Sequence, residues 1–358
     1  MVYALGYDVG GANTKAAFIH TKNSSIEAIS VATQYFPIWK TPERLIEVLS
    51  ALKEKLNPQK IDVVGVTMTA ELSDAYQTKR EGVRHILLCI EKVFPSVPIH
   101  VLTSDAQLVS PQTAKKEPLS VASANWAATG WLVAKYVSDC IIMDVGSTTT
   151  SIIPIVNNQI AARGRTDLEK LVYNELVYTG SLRTNIAAIT QKIPVNNSVT
   201  RVSSELFAIS ADVHLLLDNI TSEEYICETT DNRGKTKAEA SARLARVVCA
   251  DTDMLAYSVI LEIAEYVHTQ QINQIAEALT ETYTYTKTLT NHELPIVVTG
   301  MGKAFLAKKA AQQLGAAKII DLETIIHKQA VHATPAVAIA YMAATKHEGN
   351  HTDDDNCS

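Results

Sequence analysis

Two loops with similar residue types each follow a short apolar segment, and both could bind an anion. The first reads Tyr7-Asp8-Val9-Gly10-Gly11-Ala12-Asn13-Thr14-Lys15, and the second reads Met143-Asp144-Val145-Gly146-Ser147-Thr148-Thr149-Thr150. Glycines lack a Cβ atom, so backbone N–H groups can close on an anion while the nearby carboxylate holds Mg²⁺. The loops therefore predict a site for phosphate groups and Mg²⁺ that is present in duplicate. One such hairpin alone would carry little weight, because many hairpins use Asp and Gly for the turn itself.

A third glycine loop lies late in the chain. Ile296-Val297-Val298-Thr299-Gly300-Met301-Gly302 leads into an alanine-rich segment that begins with Lys303. A strand that ends in Gly-x-Gly before a helix places free N–H groups and the positive helix end together, which suits a nucleotide or an anionic substrate. An ordinary strand-to-helix turn also favours glycine. The Rossmann fingerprint Gly-x-Gly-x-x-Gly does not occur in the sequence.

Composition limits the class of protein. The chain has 358 residues, of which 47% are hydrophobic, and a formal net charge of -6. This length allows two domains with proper cores, whereas the acidic balance argues against a general nucleic-acid binder. Because we see no signal peptide and no apolar stretch of membrane-spanning length, we predict a cytoplasmic protein without nucleic-acid or membrane partners. An oligomer is compatible with the sequence, and the cysteines and histidines show no spacing typical of a zinc site.

The elements that must position these loops occur in two similar runs. The first run has predicted strands at 2–9, 14–20, 26–35, 61–68 and 99–102, with helices from Thr41 and at about 81–93. The second has strands at 140–143, 149–156, 159–162 and 296–298. Further helices are predicted at 120–136 and 333–344, with a mainly helical insertion at about 165–290. Two runs that each begin with an Asp-Gly hairpin predict an α/β protein with a duplicated ribonuclease-H-like fold and a cleft between its halves.

The predicted domains follow this duplication. Residues 1–118 form the first half with the first phosphate loop, and residues 119–347 form the second half with the second phosphate loop, the insertion and the glycine loop 300–302. The polar tail 348–358 is predicted to be disordered.

The three loops, in this order, resemble those of the acetate and sugar kinase, Hsp70 and actin superfamily. A closer resemblance depends on further segments, which are Thr69-Ala70-Glu71-Leu72-Ser73-Asp74, Thr166-Asp167-Leu168-Glu169, Glu175-Leu176-Val177-Tyr178-Thr179-Gly180, Ser210-Ala211-Asp212-Val213 and Asp231-Asn232-Arg233-Gly234-Lys235. With these segments the chain resembles the hydantoinase/oxoprolinase-like proteins of tetrahydromethanopterin-linked one-carbon metabolism, and among them the branch of methanofuran biosynthesis.

This resemblance implies a transferase that moves an alkyl or aryl group other than methyl and releases diphosphate. In that branch the phenol oxygen of γ-glutamyltyramine displaces diphosphate from an aminomethyl-furanyl-methyl diphosphate and forms an aryl ether. The expected partners are therefore a small-molecule diphosphate and a phenolic acceptor. Diphosphate leaves readily only when its charge is neutralised, for which Mg²⁺ and converging N–H donors are suited. The loops alone would instead indicate an ATP-dependent small-molecule kinase or ATPase; we regard ATP as the less favoured cofactor.

The resemblance also suggests roles for individual residues. Asp8 and Asp144 are the predicted Mg²⁺ ligands. The predicted residues around the diphosphate or a nucleotide are Gly10, Gly11, Asn13, Thr14, Lys15, Gly146, Ser147, Thr148, Thr149, Gly300, Gly302 and Lys303. Lys15 could equally be a lysine at the edge of a strand.

A phenolic acceptor needs a base at neutral pH, because the unperturbed pKa of a phenol is about 10. Glu71 and Asp74 follow the predicted strand 61–68, and Asp105 follows the strand 99–102, so these three are the candidate catalytic residues. The alternatives are structural. Glu71 and Asp74 could complement a helix dipole, and Asp105 could cap a turn.

Overall fold

The computed structural model describes the backbone of residues 1–355 and the side chains of residues 1–349. Its strands are β1 (Val2–Val9), β2 (Asn13–Lys22), β3 (Ser25–Tyr35), β4 (Val63–Met68), β5 (Ile99–Leu102), β6 (Leu108–Val109), β7 (Cys140–Val145), β8 (Thr150–Val156), β9 (Gln159–Ile160), β10 (Leu176–Val177), β11 (Lys192–Val195), β12 (Ser198–Arg201), β13 (Ile296–Thr299) and β14 (Ile319–Asp321). Its helices are α1 (Leu45–Leu56), α2 (Lys79–Val93), α3 (Pro111–Lys116), α4 (Asn125–Ala134), α5 (Asp167–Val172), α6 (Ile186–Ile189), α7 (Ser210–Leu216), α8 (Lys237–Arg246), α9 (Tyr257–Thr290), α10 (Lys308–Gln313), α11 (Lys328–Val331) and α12 (Thr334–Asp355).

Two mixed sheets have the same order and directions in five strands, while β6 of the first sheet and β9 of the second have no counterparts. The first sheet has the order β3-β2-β1-β4-β5-β6, in which β1 is antiparallel to β2 and parallel to β4. The second has the order β10-β8-β7-β13-β14, in which β7 is antiparallel to β8 and parallel to β13. In each sheet the central strand runs into a hairpin at an Asp-Val-Gly sequence. The predicted α/β class and the duplicated ribonuclease-H-like core are therefore confirmed.

Contacts within the chain define two compact units. The first contains Met1–Ser138, Asn157–Glu169 and the chain from Glu323 onwards, and the second contains Asp139–Val156 and Lys170–Leu322. This division differs from the predicted one, since residues 119–138, residues 157–169 and the closing helix α12 belong to the first unit instead of the second. None of the described helices has both the length and the apolar character needed to cross a bilayer.

Helix α12 joins the first unit through close packing on two glycines. A Cβ atom at Gly6 of β1 would lie 2.1 Å from the carbonyl oxygen of Ala336, and one at Gly65 of β4 would lie 2.5 Å from that of Ile339. On the opposite face of β1, Tyr7 is buried and its hydroxyl donates to the carbonyl of Leu49 in α1 at 2.8 Å. The small residues of β1 and β4 therefore determine where the alanine-rich helix packs.

We expect the Gly6→Ala variant to have a free energy of unfolding lower by about 1–3 kcal/mol, because the added methyl group would overlap the backbone of α12. Urea denaturation measures this loss. The matched control is Gly11→Ala in the same unit, where a Cβ atom would meet nothing within 4 Å. Equal stability of the two variants would contradict the close packing at Gly6.

The insertion of the second unit contains strands as well as the predicted helices. It contains the long helix α9 and the shorter helices α6, α7 and α8, but also the antiparallel hairpin of β11 and β12. Asn196 and Asn197 form its two-residue turn with φ angles of 47° and 62°. Asparagine tolerates this left-handed conformation, which is the one that tight hairpins require. The Asn-Asn pair therefore indicates a hairpin turn, which the prediction of a mainly helical insertion did not include.

The chain end also differs from the prediction. Helix α12 continues to Asp355, whereas disorder was predicted from 348. The Glu348 carboxylate accepts hydrogen bonds from Thr21 Oγ1 and from the Ser24 N–H, both at 2.9 Å. These contacts hold the helix against the β2–β3 turn. The last three residues of the predicted tail, 356–358, lie outside the described residues.

Candidate functional site

The first loop joins β1 to β2 and presents backbone donors. The Gly10 N–H donates to the carbonyl of Asn13 at 3.0 Å, and the carbonyl of Gly11 accepts from the Ile38 N–H at 3.1 Å. No described residue accepts a hydrogen bond from the N–H groups of Gly11 and Ala12. Because its carbonyls are engaged while these N–H groups are not, the loop can donate to an anion.

The first loop requires glycine at one of its two glycine positions but not at the other. A Cβ atom at Gly10 would lie 2.6 Å from the carbonyl oxygen of Asn13, so Gly10 is required by the turn itself. At Gly11 the same atom would meet nothing within 4 Å. The turn therefore does not need a glycine at position 11, and the space beside it is open to a ligand.

The side chains beside the first loop are polar and largely enclosed. Asp8 is only 6% exposed and lies opposite Lys15 on β2 and Thr67 on β4. Directly paired residues of neighbouring strands share one face of the sheet. The Thr67 hydroxyl on this face is completely buried and has no hydrogen-bond partner among the described residues, whereas the similarly buried hydroxyl of Thr14, which pairs with Val9, lies on the opposite face. Asp8 therefore shares its face of the sheet with one unused hydroxyl group, that of Thr67.

Glu71 lies in the 3₁₀ turn after β4, and its side chain is completely buried. Its Oε1 atom is 2.7 Å from Ser123 Oγ and 3.8 Å from Lys79 Nζ. Ser123 Oγ and Lys79 Nζ also contact Asp167 Oδ2, at 2.6 and 2.9 Å. Burial raises the pKa of Glu71 above its ordinary value, against the smaller opposing effects of Ser123 and Lys79. The structure therefore brings three polar side chains together around one predicted catalytic residue.

This cluster is connected to the first loop through β4. The Thr69 N–H donates to the carbonyl of Val9 at 2.9 Å, directly before the turn that carries Glu71. Helix α2 packs tightly on the turn, since a Cβ atom at Gly82 would lie 2.5 Å from the Glu71 Cα atom. Thr78 begins this helix, and its hydroxyl accepts from the Glu81 N–H. The helix start and Gly82 together fix the position of Lys79 near Glu71.

The other two predicted catalytic carboxylates lie at the surface. Asp74 is exposed. Asp105 forms an ion pair of 2.7 Å with Arg165, in which the aspartate side chain is 64% exposed. A pair with this exposure contributes about 0–1 kcal/mol. The Thr103 hydroxyl accepts a hydrogen bond from the Gln107 N–H. Thr103, and not Asp105, therefore caps the turn at 103–107.

The second loop, between β7 and β8, resembles the first in its hydrogen bonds. The Gly146 N–H donates to the carbonyl of Thr149 at 2.9 Å, and the carbonyl of Ser147 accepts from the Arg183 N–H at 3.0 Å. Within the described part of the chain, no acceptor faces the N–H groups of Ser147, Thr148 and Thr149. This loop can therefore also donate several hydrogen bonds to an anion.

A neighbouring segment supports the second loop. A Cβ atom at Gly180 would lie 2.6 Å from the backbone nitrogen of Thr148, so this glycine allows the segment to approach. The hydroxyl of Thr150 donates to the carbonyl of Thr179 at 2.8 Å. The Arg183 guanidinium lies 3.4 Å from Thr148 Oγ1 and adds a positive charge beside the loop.

The glycine loop 300–302 packs directly on the end of β7. Gly300 has a φ angle of 87°, and a Cβ atom there would lie 2.4 Å from the carbonyl oxygen of Val145 and 2.6 Å from Asp144 Oδ1. At Gly302 a Cβ atom would lie 2.4 Å from Val145 Cγ1, and the Gly302 N–H donates to the Val145 carbonyl at 3.0 Å. Close packing therefore accounts for both glycines without a nucleotide.

The two lysines predicted to bind a cofactor have different surroundings. Lys303 Nζ forms an ion pair of 3.0 Å with Asp321 Oδ1 at the end of β14. Lys15 is partly buried and shares the face of Asp8. Its position in β2, bonded on one side to β1 and on the other to β3, is not that of a strand at the edge of the sheet.

A buried ion-pair network lies in the insertion and was missed from the sequence. Arg243 and Asp212 are both completely buried and 2.8 Å apart, and Arg243 also lies 3.1 Å from Asp231. The Tyr225 hydroxyl donates to the Asp212 carboxylate at 3.1 Å. Asp212 and Asp231 belong to two of the segments that carried the family resemblance. Because Arg243 binds both aspartates, these two segments stabilise the packing of α7, α8 and the loop between them.

The donor set fits Mg²⁺ better than a metal held by protein ligands alone. Each phosphate loop carries one aspartate, Asp8 or Asp144, and no three His, Cys, Asp or Glu side chains cluster as metal ligands among the described residues. Mg²⁺ commonly takes one or two carboxylates together with substrate phosphates and water. The buried Thr67 hydroxyl, on the face of Asp8, suits the same oxygen-based chemistry.

One family model and two named relatives match this chain. The hydantoinase/oxoprolinase family model matches residues 62–346. A protein of Methanocaldococcus jannaschii named (4-{4-[2-(gamma-L-glutamylamino)ethyl]phenoxymethyl}furan-2-yl)methanamine synthase is 37% identical over 340 residues, which cover 95% of this chain and 97% of that protein. A protein of the same name from Methanococcus vannielii is 37% identical over 57% of this chain and 90% of its own length. Among solved structures, the activator of the 2-hydroxyisocaproyl-CoA dehydratase from Clostridium difficile is similar, with a TM-score of 0.46, 11% identity and 98% of each chain covered.

Proposed function

This chain belongs to the hydantoinase/oxoprolinase family, and from that premise we propose that it is a transferase of methanofuran biosynthesis. It condenses γ-glutamyltyramine with an aminomethyl-furanyl-methyl diphosphate, forms an aryl ether and releases diphosphate. The support is the name of the relatives that are 37% identical, since that name describes a phenoxymethyl-furan joined to a γ-glutamyl group. Both substrates are small molecules.

The observation that carries this proposal is the common construction of the two phosphate loops. In each loop the carbonyls accept hydrogen bonds from a following segment, while successive N–H groups have no described acceptor. Such an arrangement favours an anion with several oxygens, such as diphosphate. The charge of Arg183 beside Thr148 adds to this preference in the second loop.

In the proposed reaction the protein mainly positions the substrates and neutralises the leaving group. The phenol oxygen forms a bond to the furanyl methylene carbon, and the carbon–oxygen bond to diphosphate breaks with its electron pair on diphosphate. Asp8 and Asp144 are the proposed ligands of Mg²⁺, which would supply positive charge to the diphosphate oxygens when bound. The N–H groups of each loop are available as donors to diphosphate oxygens and need no reorganisation as charge develops.

The alternative function is an ATP-dependent small-molecule kinase or ATPase. It rests on the fold and the loops, and no observation specific to this chain favours it, because the glycines at 300 and 302 are explained by their packing on β7.

The test is an assay of the purified protein with γ-glutamyltyramine, the furanyl diphosphate and Mg²⁺. We expect release of diphosphate and a product with the mass of the ether. A parallel reaction with Mg²⁺ and ATP should release no phosphate. If no ether forms at any enzyme concentration, the proposal is wrong, and turnover of ATP in that case would favour the kinase.

We expect the Gly11→Ala variant to weaken binding of inorganic diphosphate with Mg²⁺ by about tenfold, because its methyl group would enter the open space beside the first loop. Calorimetric titration measures this change. Its thermal stability should match the wild type, which separates the effect from unfolding. Unchanged diphosphate affinity would place the anion elsewhere.

A further inference from the structure

The Ser123 hydroxyl lies at the centre of a group of three ionisable side chains. Its Oγ atom is 2.7 Å from Glu71 Oε1, 2.6 Å from Asp167 Oδ2 and 3.1 Å from Lys79 Nζ. All four side chains belong to the first compact unit. The two oxygen–oxygen distances are those of strong hydrogen bonds in which a charged group takes part.

The number of hydrogens limits how these bonds can form. A serine hydroxyl donates one hydrogen bond and accepts two. If both carboxylates were ionised, Ser123 could donate to only one of them, and the other would face an oxygen lone pair at hydrogen-bond distance. The conflict disappears when one carboxyl group carries a proton. Ser123 then accepts from that carboxyl and from Lys79, and donates to the remaining carboxylate.

Burial indicates which carboxyl group carries the proton. The Glu71 side chain is completely enclosed, whereas those of Asp167 and Lys79 are 21% and 22% exposed. Glu71 Oε2 has no hydrogen-bond partner among the described residues. An unpaired oxygen is less costly as the carbonyl of a neutral acid than as part of a carboxylate. The single ammonium group of Lys79 lies 2.9 Å from Asp167, nearer than its 3.8 Å to Glu71, and matches one negative charge there.

We propose that Glu71 is protonated at neutral pH and donates to Ser123, that Ser123 donates to Asp167, and that ionised Asp167 accepts the proton of the phenolic acceptor. The last of these steps rests on the proposed function. In it the phenol O–H bond breaks, the proton moves to an Asp167 oxygen, the phenol oxygen bonds to the furanyl methylene carbon, and diphosphate leaves with the electron pair. Asp167 is the catalytic residue, and Glu71 and Ser123 are positioning residues.

This assignment changes the role that the sequence suggested for Glu71. The predicted base is enclosed and holds its proton, while the base lies in the Thr166–Glu169 segment, at the start of α5. The groups that face Glu71 are Ser123, Lys79 and Asp167, together with Tyr76, whose pKa is raised mainly by burial and slightly by Glu71. Lys79 is the cation among them.

The protonation of Glu71 can be measured without any enzymatic assay. In protein labelled with ¹³C at the glutamate carboxyl carbons, the resonance missing from the Glu71→Gln variant identifies Glu71. We expect this resonance at pH 7 to have the shift of a neutral acid. A carboxylate shift at pH 7 would overturn the proposal.

The stability of the folded protein should depend on pH in the way that a protonated Glu71 predicts. A carboxyl whose pKa is raised on folding stabilises the native state at low pH, and this contribution is lost as pH rises through the raised pKa. We therefore expect the wild-type melting temperature to fall across that range. In Glu71→Gln this pH dependence should disappear, because the amide donates to Ser123 as the neutral acid does and cannot ionise.

Kinetics separate the base from the residues that position it. We expect the kcat of Asp167→Asn to fall by about 100-fold, as loss of a general base does, and that of Glu71→Gln to fall by less than tenfold. Ser123→Ala removes the donor to Asp167, so the acid limb of its pH–rate profile should move to higher pH.

Two results would overturn the catalytic part of the proposal. One is a loss in Glu71→Gln as large as that in Asp167→Asn, which would make Glu71 the ionised base. The other is a large loss in Asp74→Asn or Asp105→Asn with Asp167→Asn little affected. If the wild-type protein forms no ether, the proposed function fails, and the ¹³C measurement still decides whether Glu71 is protonated.

Discussion

The Asp8→Asn variant is expected to form the ether about 1,000-fold more slowly than the wild type. Asp8 is 6% exposed at the end of β1, and asparagine has nearly its size, so the hairpin should fold as before. The substitution removes the negative charge through which the first loop would hold Mg²⁺. A metal contributes several kcal/mol of charge stabilisation to such a transition state, and about 4 kcal/mol corresponds to a 1,000-fold change in rate.

Binding provides a second measurement of the same prediction. Calorimetric titration with inorganic diphosphate should show that Mg²⁺ strengthens binding to the wild type but has little effect on Asp8→Asn. Asp218→Asn is a suitable control, because it removes a carboxylate from an exposed ion pair with Lys237 and should leave activity unchanged. If Asp8→Asn kept the Mg²⁺ dependence and the rate of the wild type, Asp8 would not be a metal ligand.

The parts of the fold that the sequence predicted are those with local signals. The Asp-Val-Gly sequences at 8–10 and 144–146 each mark a turn between two apolar strands, and both hairpins are present in the structure. The helix predicted at about 81–93 is also present, as α2, which begins two residues earlier at Lys79. Strand β14 was missed because its three residues are too few for a periodic pattern.

The cluster around Glu71 could not be predicted in the same way. Its members come from distant points of the chain, at 71, 79, 123 and 167, and the fold alone brings them together. Ser123 reaches its position with a φ angle of 51°, which serine seldom adopts and which no sequence pattern indicates. The Thr166–Glu169 segment marked the place of Asp167 without indicating its partners. Local sequence thus located the two Asp-Val-Gly hairpins and singled out Glu71, but it did not indicate the partners that surround Glu71.

The second large effect concerns stability. We expect Arg243→Met to lower the free energy of unfolding by about 3–5 kcal/mol. Arg243 lies between Asp212 and Asp231 at 2.8 and 3.1 Å, and it also donates to the carbonyl of Gly234 at 3.1 Å. Methionine fills a similar volume but leaves the enclosed carboxylate of Asp212 without its cation. Removing one partner of a buried ion pair has a cost of this size, because the other charge remains desolvated.

Arg246→Met provides the matched control on the same helix. Arg246 lies 3.1 Å from Asp231 with 34% of its side chain exposed, so we expect a loss of only about 0–1 kcal/mol. In Arg243→Met the unpaired Asp212 can relieve its charge by taking up a proton, so the loss of stability should become smaller at low pH. Adding Asp212→Asn to Arg243→Met should recover part of the stability at neutral pH. Equal losses in the two arginine variants, or a loss in Arg243→Met that is independent of pH, would show that packing rather than charge makes Arg243 important.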